Sequence, residues 1–154
     1  RRGIRQVPRR HVTEPSHTRI LMVCSGNICR SPLAEAAAAE HFGDANVTVV
    51  SAGTVAIAGQ PATALMRQVA TEHGLDLSGH QATPLRIAAQ PDLIFGMEQE
   101  HLIAARRAFP ELPPGRIRLL DHPHAIADPY GLDIQDYRAS AAQIVGAVER
   151  LDPI

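Results

Sequence analysis

The most constraining feature of this chain is a short apolar run that passes straight into a loop and then a helix. Residues 20–23 (Ile-Leu-Met-Val) have the unbroken apolar character of a strand buried on both faces. Directly after them comes Cys24-Ser25-Gly26-Asn27-Ile28-Cys29-Arg30-Ser31-Pro32, and then an Ala-, Leu- and Glu-rich stretch over 33–41 that stops at Gly43. Pro32 is suited to a helix start, because the first-turn N–H groups have no partner within the helix. Further β-like and helix-like segments alternate downstream. Strands are expected at 47–50, 92–97 and 116–120, and helices at 62–73, 98–108 and 134–151, the last capped by Asp133. This alternation predicts an α/β fold: a single-domain three-layer sandwich with a four-stranded parallel sheet and helices on both faces. Residues 121–131 form a long connection, and long connections often carry function.

Composition supports one domain. The chain has 154 residues, 45% of them hydrophobic, with 3% aromatic and no Trp, so aliphatic side chains must fill the core. No apolar run is long enough to cross a membrane, and the visible N-terminus carries no stretch of the secretory type, so the expected compartment is the cytoplasm. Two cysteines, Cys24 and Cys29, do not make a disulfide framework. Residues 1–19 hold six Arg against one Glu and are expected to be a basic, solvated arm. Residues 20–154, the expected catalytic domain, hold nine Arg against fifteen acids, which argues against nucleic-acid binding.

The chemistry concentrates in the loop after the first strand. Ligands of open α/β sheets bind at the carboxyl ends of the strands, and a helix N-terminus favours anions. Gly26 and Asn27 are the residue types that most easily take left-handed backbone angles, so successive N–H groups can turn inward into an anion nest. Arg30 adds a planar fork that matches two phosphate oxygens. A Cys24 thiolate at the floor of such a nest is stabilised by the N–H groups, the helix dipole and Arg30, and is poised to attack phosphorus. The bare spacing Cys-x5-Arg recurs by chance; the full string between a strand and a helix is far more specific. A carboxylic acid across the site is needed to protonate the leaving group, and Asp128, held extended by Pro129, suits that task. Asp121-His122-Pro123-His124 matches no strong metal-ligand spacing, so no metal or cofactor is expected. Met66 and Met97 read as core residues, and Glu98 and Glu100 as acids at the start of a helix.

At these residues the sequence resembles the low-molecular-weight protein tyrosine phosphatases. The resemblance runs from about residue 20 to 151 and includes Ser51-Ala52-Gly53-Thr54, Met97 and Asp128-Pro129-Tyr130-Gly131. It implies Cys24 as nucleophile, Arg30 as phosphate clamp and Asp128 as general acid. Ser25, Gly26, Asn27, Ile28, Cys29 and Ser31 complete the phosphate-binding loop, with Ser31 donating to the thiolate. Asn27, Ser51 and His80 match the polar network that holds that loop, and Tyr130 matches the substrate pocket. It also implies reversible oxidation between Cys24 and Cys29, although Cys29 reads equally well as an apolar filler. The implied partner is a phosphotyrosine-containing protein, met by a monomer, with no nucleic acid and no membrane.

Two departures bear on substrate. Many members carry two aromatics after Asp-Pro, where this chain has Tyr130-Gly131. Many have an aromatic after the second strand, where this chain has Val55-Ala56-Ile57-Ala58, so one aromatic wall of the slot is expected to be absent. The family's protein-arginine phosphatases place Thr at the position of Ile28, which leans this chain towards aryl phosphates. The alternatives are a protein-arginine phosphatase, a thiol-dependent arsenate reductase of related fold, which needs cysteines beyond Cys29, and a non-catalytic phosphate-binding or redox-sensing module.

Overall fold

A computed structural model describes residues 16–43 and 46–153. Four strands, β1 (Thr18–Cys24), β2 (Val47–Gly53), β3 (Leu93–Gly96) and β4 (Ile117–Leu119), alternate with four helices, α1 (Arg30–Phe42), α2 (Ala64–Glu72), α3 (Gln99–Ala108) and α4 (Ile134–Glu149). The sheet has the order β2-β1-β3-β4 and every pairing is parallel. This is the expected three-layer α/β sandwich. Residues 1–15 of the expected basic arm lie outside the described residues, whereas Thr18 and Arg19 already belong to β1 and pair with Val47 and Thr48.

Period-two alternation along β1 divides the core into its two halves. Ile20, Met22 and Cys24 face one hydrophobic cluster, which α1, α2 and α4 cover with Leu33, Met66, Val69 and Ile144. Leu21 and Val23 face the opposite cluster, covered by Leu102, Ala105 and Phe109 of α3 and its C-terminus. Ile20 through Val23 are fully buried, as a strand covered on both faces must be. Each such aliphatic side chain contributes about 1.5–3 kcal/mol on leaving water. Small residues at Ala34, Ala37 and Ala38 of α1 and Ala141 and Ala147 of α4 line the same cluster, where they leave room for close helix packing. Met66 and Met97 are both fully buried core residues.

Helix starts differ from the sequence expectation by one or two residues, for identifiable reasons. α1 begins at Arg30, so Pro32 is the third helical residue, still within the turn whose N–H groups lack helical partners. α2 begins at Ala64, because the Thr63 hydroxyl caps it by accepting from the Met66 N–H at 3.3 Å. Asp133 caps α4 as expected, accepting from the Gln135 N–H at 2.9 Å and the Asp136 N–H at 3.2 Å. The strand order places β2 and β3 on opposite sides of β1, so the chain reverses its winding beside β1. The crevice at that reversal, outside the C-terminal end of β1, is where the Cys24 loop sits.

Candidate active site

Cys24 is the last residue of β1 and Arg30 the first of α1, so the five residues between them must turn the chain through a tight arc. Asn27 makes that turn possible. It takes φ +55°, in the left-handed region that Asn tolerates better than most side chains. Gly26 has no positive φ, contrary to the expectation for it; a Cβ there would lie 3.3 Å from Ile28 Cγ1. Gly53 at the end of β2 serves the loop from outside. A Cβ there would fall 2.4 Å from the Ser25 carbonyl oxygen and 2.9 Å from the Asn27 nitrogen, so only glycine lets the two segments meet. The next two N–H groups, of Thr54 and Val55, donate to the carbonyls of Cys24 and Ser25 at 3.0 Å each.

Two donors converge on the Cys24 sulfur. The Ser31 hydroxyl lies 2.9 Å away and the Asn27 N–H 3.3 Å away. The thiol is buried, with 2% of Cys24 exposed. Asn27 also anchors the loop through its side chain. Its amide nitrogen donates to Ser31 Oγ at 2.8 Å and Ser51 Oγ at 2.9 Å, and its amide oxygen accepts from the Thr83 N–H at 2.8 Å. His80 Nε2 lies 2.6 Å from the Asn27 carbonyl. The Ser51 hydroxyl in turn donates to Glu35 Oε1 at 2.9 Å, and burial pushes the Glu35 carboxyl above its ordinary range. Asn27, Ser51 and His80 are thus brought together. Thr83 and Glu35 join them unforeseen, since Glu35 read as one acid on a helix.

Arg30 is a fully buried cation. Its Nη1 donates to Glu98 Oε2 at 3.0 Å and to the Ile126 carbonyl at 2.7 Å, while Nη2 stands 3.6 Å from Asp128 Oδ2. Asp128 is fixed in turn by the Tyr130 N–H, which donates to Oδ1 at 3.1 Å. Glu98 is therefore not a plain helix-start acid: it caps α3 and pairs with Arg30. His101, also unremarked in the sequence, is fully buried with Nε2 3.0 Å from Ser25 Oγ. Cys29 ends the loop, its sulfur 3.5 Å from Thr63 Oγ1 and 3.7 Å from the Tyr137 hydroxyl; burial raises its thiol above the ordinary range. Both cysteines are free thiols.

Cys24, Ser25, Gly26, Ile28, Cys29, Arg30, Asp128 and Tyr130 line one pocket of about 300 Å³. Val55, Ile57 and Gln60 line the same pocket, and Val55, Ile57 and Tyr130 are all largely exposed. Asp121 of the long connection lies away from it, with its two oxygens taken by Gln143 and Arg150. Chemically, the pocket offers a sulfur beneath two hydrogen-bond donors, a buried guanidinium and a carboxyl group at the mouth. That set suits an oxyanion at the sulfur.

The sequence profile of the low molecular weight phosphotyrosine protein phosphatases matches residues 19–152, and the chain belongs to that family. It is 38% identical over 117 residues to the low molecular weight protein-tyrosine-phosphatase Wzb of Salmonella typhimurium, an alignment that covers 73% of this chain and 76% of Wzb. Its fold superposes on the tyrosine phosphatase Wzb of Escherichia coli K30, solved in complex with sulphate, with a TM-score of 0.79 at 32% identity over 87% of this chain and 95% of that one. The YwlE arginine phosphatase of Geobacillus stearothermophilus gives a TM-score of 0.76 at 29% identity, covering 86% and 89% of the two chains. No helix among the described residues is long and apolar enough to cross a membrane.

Proposed function

We propose that this chain hydrolyses phosphotyrosine on proteins through a phosphocysteine intermediate. One observation carries the reading: a buried Cys24 sulfur with donors at 2.9 and 3.3 Å opens onto the same pocket as Arg30 and Asp128. In the first step the Cys24 thiolate attacks phosphorus, forming an S–P bond as the P–O bond to the tyrosine breaks. Asp128, protonated, gives its proton to the departing phenolate oxygen. In the second step water attacks the phosphocysteine and Asp128, now a carboxylate, takes its proton. The S–P bond breaks, inorganic phosphate leaves and the thiolate is restored. Arg30 and the loop N–H groups carry the charge on the equatorial oxygens in both transition states, and Ser31 stabilises the sulfur as leaving group.

The pocket walls favour an aryl group. Tyr130, Val55 and Ile57 all line it, offering a ring one aromatic and two aliphatic contacts where a second aromatic is common. An aryl phosphate should turn over with the wild type and not with Cys24→Ser. Asp128→Ala should lose most of kcat and keep phosphate binding. Turnover that survives Cys24→Ser overturns the mechanism.

The likeness to an arginine phosphatase supports a second reading, phosphoarginine on proteins. Ile28 lines the pocket and offers no hydroxyl to a phosphoguanidinium. Comparing wild type with Ile28→Thr on phosphotyrosine and phosphoarginine peptides separates the two. Wild-type preference for phosphoarginine would replace the first reading.

A further inference from the structure

The loop is gripped from the β2 side by the Asn27 network, but two residues hold it from the other side. Glu98 and His101 form a reciprocal cap at the start of α3: the Glu98 N–H donates to His101 Nδ1 at 3.0 Å. A ring nitrogen that accepts a hydrogen bond carries no proton, so in the neutral ring the proton sits on Nε2. Nε2 lies 3.0 Å from Ser25 Oγ and 3.5 Å from Glu100 Oε1, so Ser25 is the nearer acceptor. The imidazole is thereby a directed donor to the second residue of the loop. The same Glu98 holds Arg30 Nη1 through its carboxylate at 3.0 Å. One cap thus reaches both ends of the loop, Ser25 beside the sulfur and Arg30 at the clamp.

α3 is seated close enough for this by Gly96. A Cβ at that position would lie 2.7 Å from Leu102 Cδ2 and 3.0 Å from His101 Cβ. His101 itself is fully buried.

We infer that Glu98 and His101 are positioning residues of the phosphate-binding loop: His101 fixes Ser25 through its Nε2–H while Glu98 orients Arg30, so that helix α3 sets the loop's shape for a bound oxyanion. This rests on the proposed reading of the loop as a phosphate site. The competing account is that His101 only caps α3.

Two substitutions separate these accounts, because each keeps one half of the imidazole. His101→Asn places an amide oxygen near the Nδ1 position, retaining the cap and losing the donor to Ser25. His101→Gln reaches the Nε2 position with an N–H, retaining that donor. Orthovanadate affinity, kcat and KM on an aryl phosphate, and Tm are measured for both, for Ser25→Ala and for His101→Asn/Ser25→Ala. His101→Asn is expected to weaken vanadate binding and lower kcat/KM by about tenfold with Tm close to wild type, the loss of one buried hydrogen bond. His101→Gln should recover to within about threefold, and the double variant should be no worse than the worse single variant.

Wild-type affinity and kcat/KM in His101→Asn overturn the inference, as do additive losses in the double variant. Should His101→Asn fail to fold, wild-type vanadate affinity in Ser25→Ala overturns it equally. A wild type that binds vanadate but does not turn over sinks the phosphatase reading and leaves the inference to the binding comparison. A wild type that binds no vanadate sinks both.

Discussion

The two flanks of the Cys24 loop are built from different materials. On the β2 side, the uncharged Asn27 meets Ser31, Ser51, Thr83 and His80 through hydrogen bonds of 2.6–2.9 Å. On the β3 side, a charged group, Glu98, and a buried imidazole hold Arg30 and Ser25. The neutral flank fixes the backbone: it is tied to a residue at φ +55° that needs support to stay there. The charged flank fixes the direction of the guanidinium that faces the pocket. The Asn27 turn and the Arg30 guanidinium are thus held from separate elements.

The largest effect is expected from Asn27→Ala. It takes a donor from the Ser31 and Ser51 hydroxyls, which keep Cys24 and Glu35, removes the acceptor of the Thr83 N–H, and places Ala at positive φ. The summed cost is about 3–5 kcal/mol of stability, with activity on an aryl phosphate lost at least a hundredfold. Urea unfolding and steady-state kinetics check this. A loss below about 1 kcal/mol would show that the neutral flank does not set the loop.

The two flanks carry pH signatures of opposite sign, His101 on the β3 side and Glu35 on the β2 side. Burial first, and the Arg30 charge second, pull the His101 ring down to about 4 from its ordinary 6.5, against the opposing pull of Glu98 and Asp128. The unfolded chain therefore takes up a proton near pH 6.5 and the folded chain only near pH 4. Stability must fall as pH drops through that window, by about 3 kcal/mol if the full shift is expressed. Glu35, raised by burial, acts in the opposite sense. The wild-type curve minus that of His101→Asn removes Glu35 and isolates His101. Parallel curves between pH 6.5 and 4 would refute the buried neutral ring.

How far the sequence revealed these flanks follows from the range of the contacts. Residues 20–32 announce themselves because strand, turn and helix start are local patterns, and the Cys24-to-Arg30 string carries its chemistry in one stretch. Asn27 is legible as a turn residue, but Ser51 and His80 as its partners follow only from resemblance, since His80 sits 53 residues from the carbonyl it meets. Glu98 and His101 were missed because an acid before a helix is adequately explained by the helix dipole. Their partners lie 68 and 76 residues away, and nothing local distinguishes a cap from a cap that also holds an arginine. The available signals are a glycine ending a short strand, Gly96, and a His three residues after a Glu that precedes a helix. Gly26 misled for the converse reason: glycine permits a left-handed angle, but the adjacent Asn27 took it.

Glu98→Gln tests the charged flank more gently than its neutral counterpart. The amide keeps the shape and the N-cap backbone but removes the charge that balances Arg30. Arg30 retains the Ile126 carbonyl at 2.7 Å and Asp128 at 3.6 Å, so the guanidinium is not abandoned. The Glu98 side chain is about one-third exposed, which softens the loss further. A cost of about 1–2 kcal/mol and a tenfold fall in kcat are expected, with the larger share in kcat because the Arg30 fork matters most when charge spreads over the transferring phosphoryl group. Equal falls in kcat and in phosphate affinity would instead mean that Glu98 shapes the ground-state site.

His80→Ala should have the smallest effect, and it sharpens the comparison by showing where the neutral flank is redundant. His80 meets the Asn27 carbonyl at 2.6 Å, but the residue is only partly buried, so water can reach that oxygen once the ring is gone. The Asn27 side chain keeps its three bonds, and with them the positive φ of the turn. A loss of about 1 kcal/mol or less and a change of about threefold in kcat/KM follow. His101→Asn, also one hydrogen bond, should cost more activity than His80→Ala because His101 is fully buried and His80 only partly so. If the two losses proved equal, or reversed, burial would not be what makes the β3 flank decisive, and the division between a solvent-tolerant flank and an enclosed one would fail.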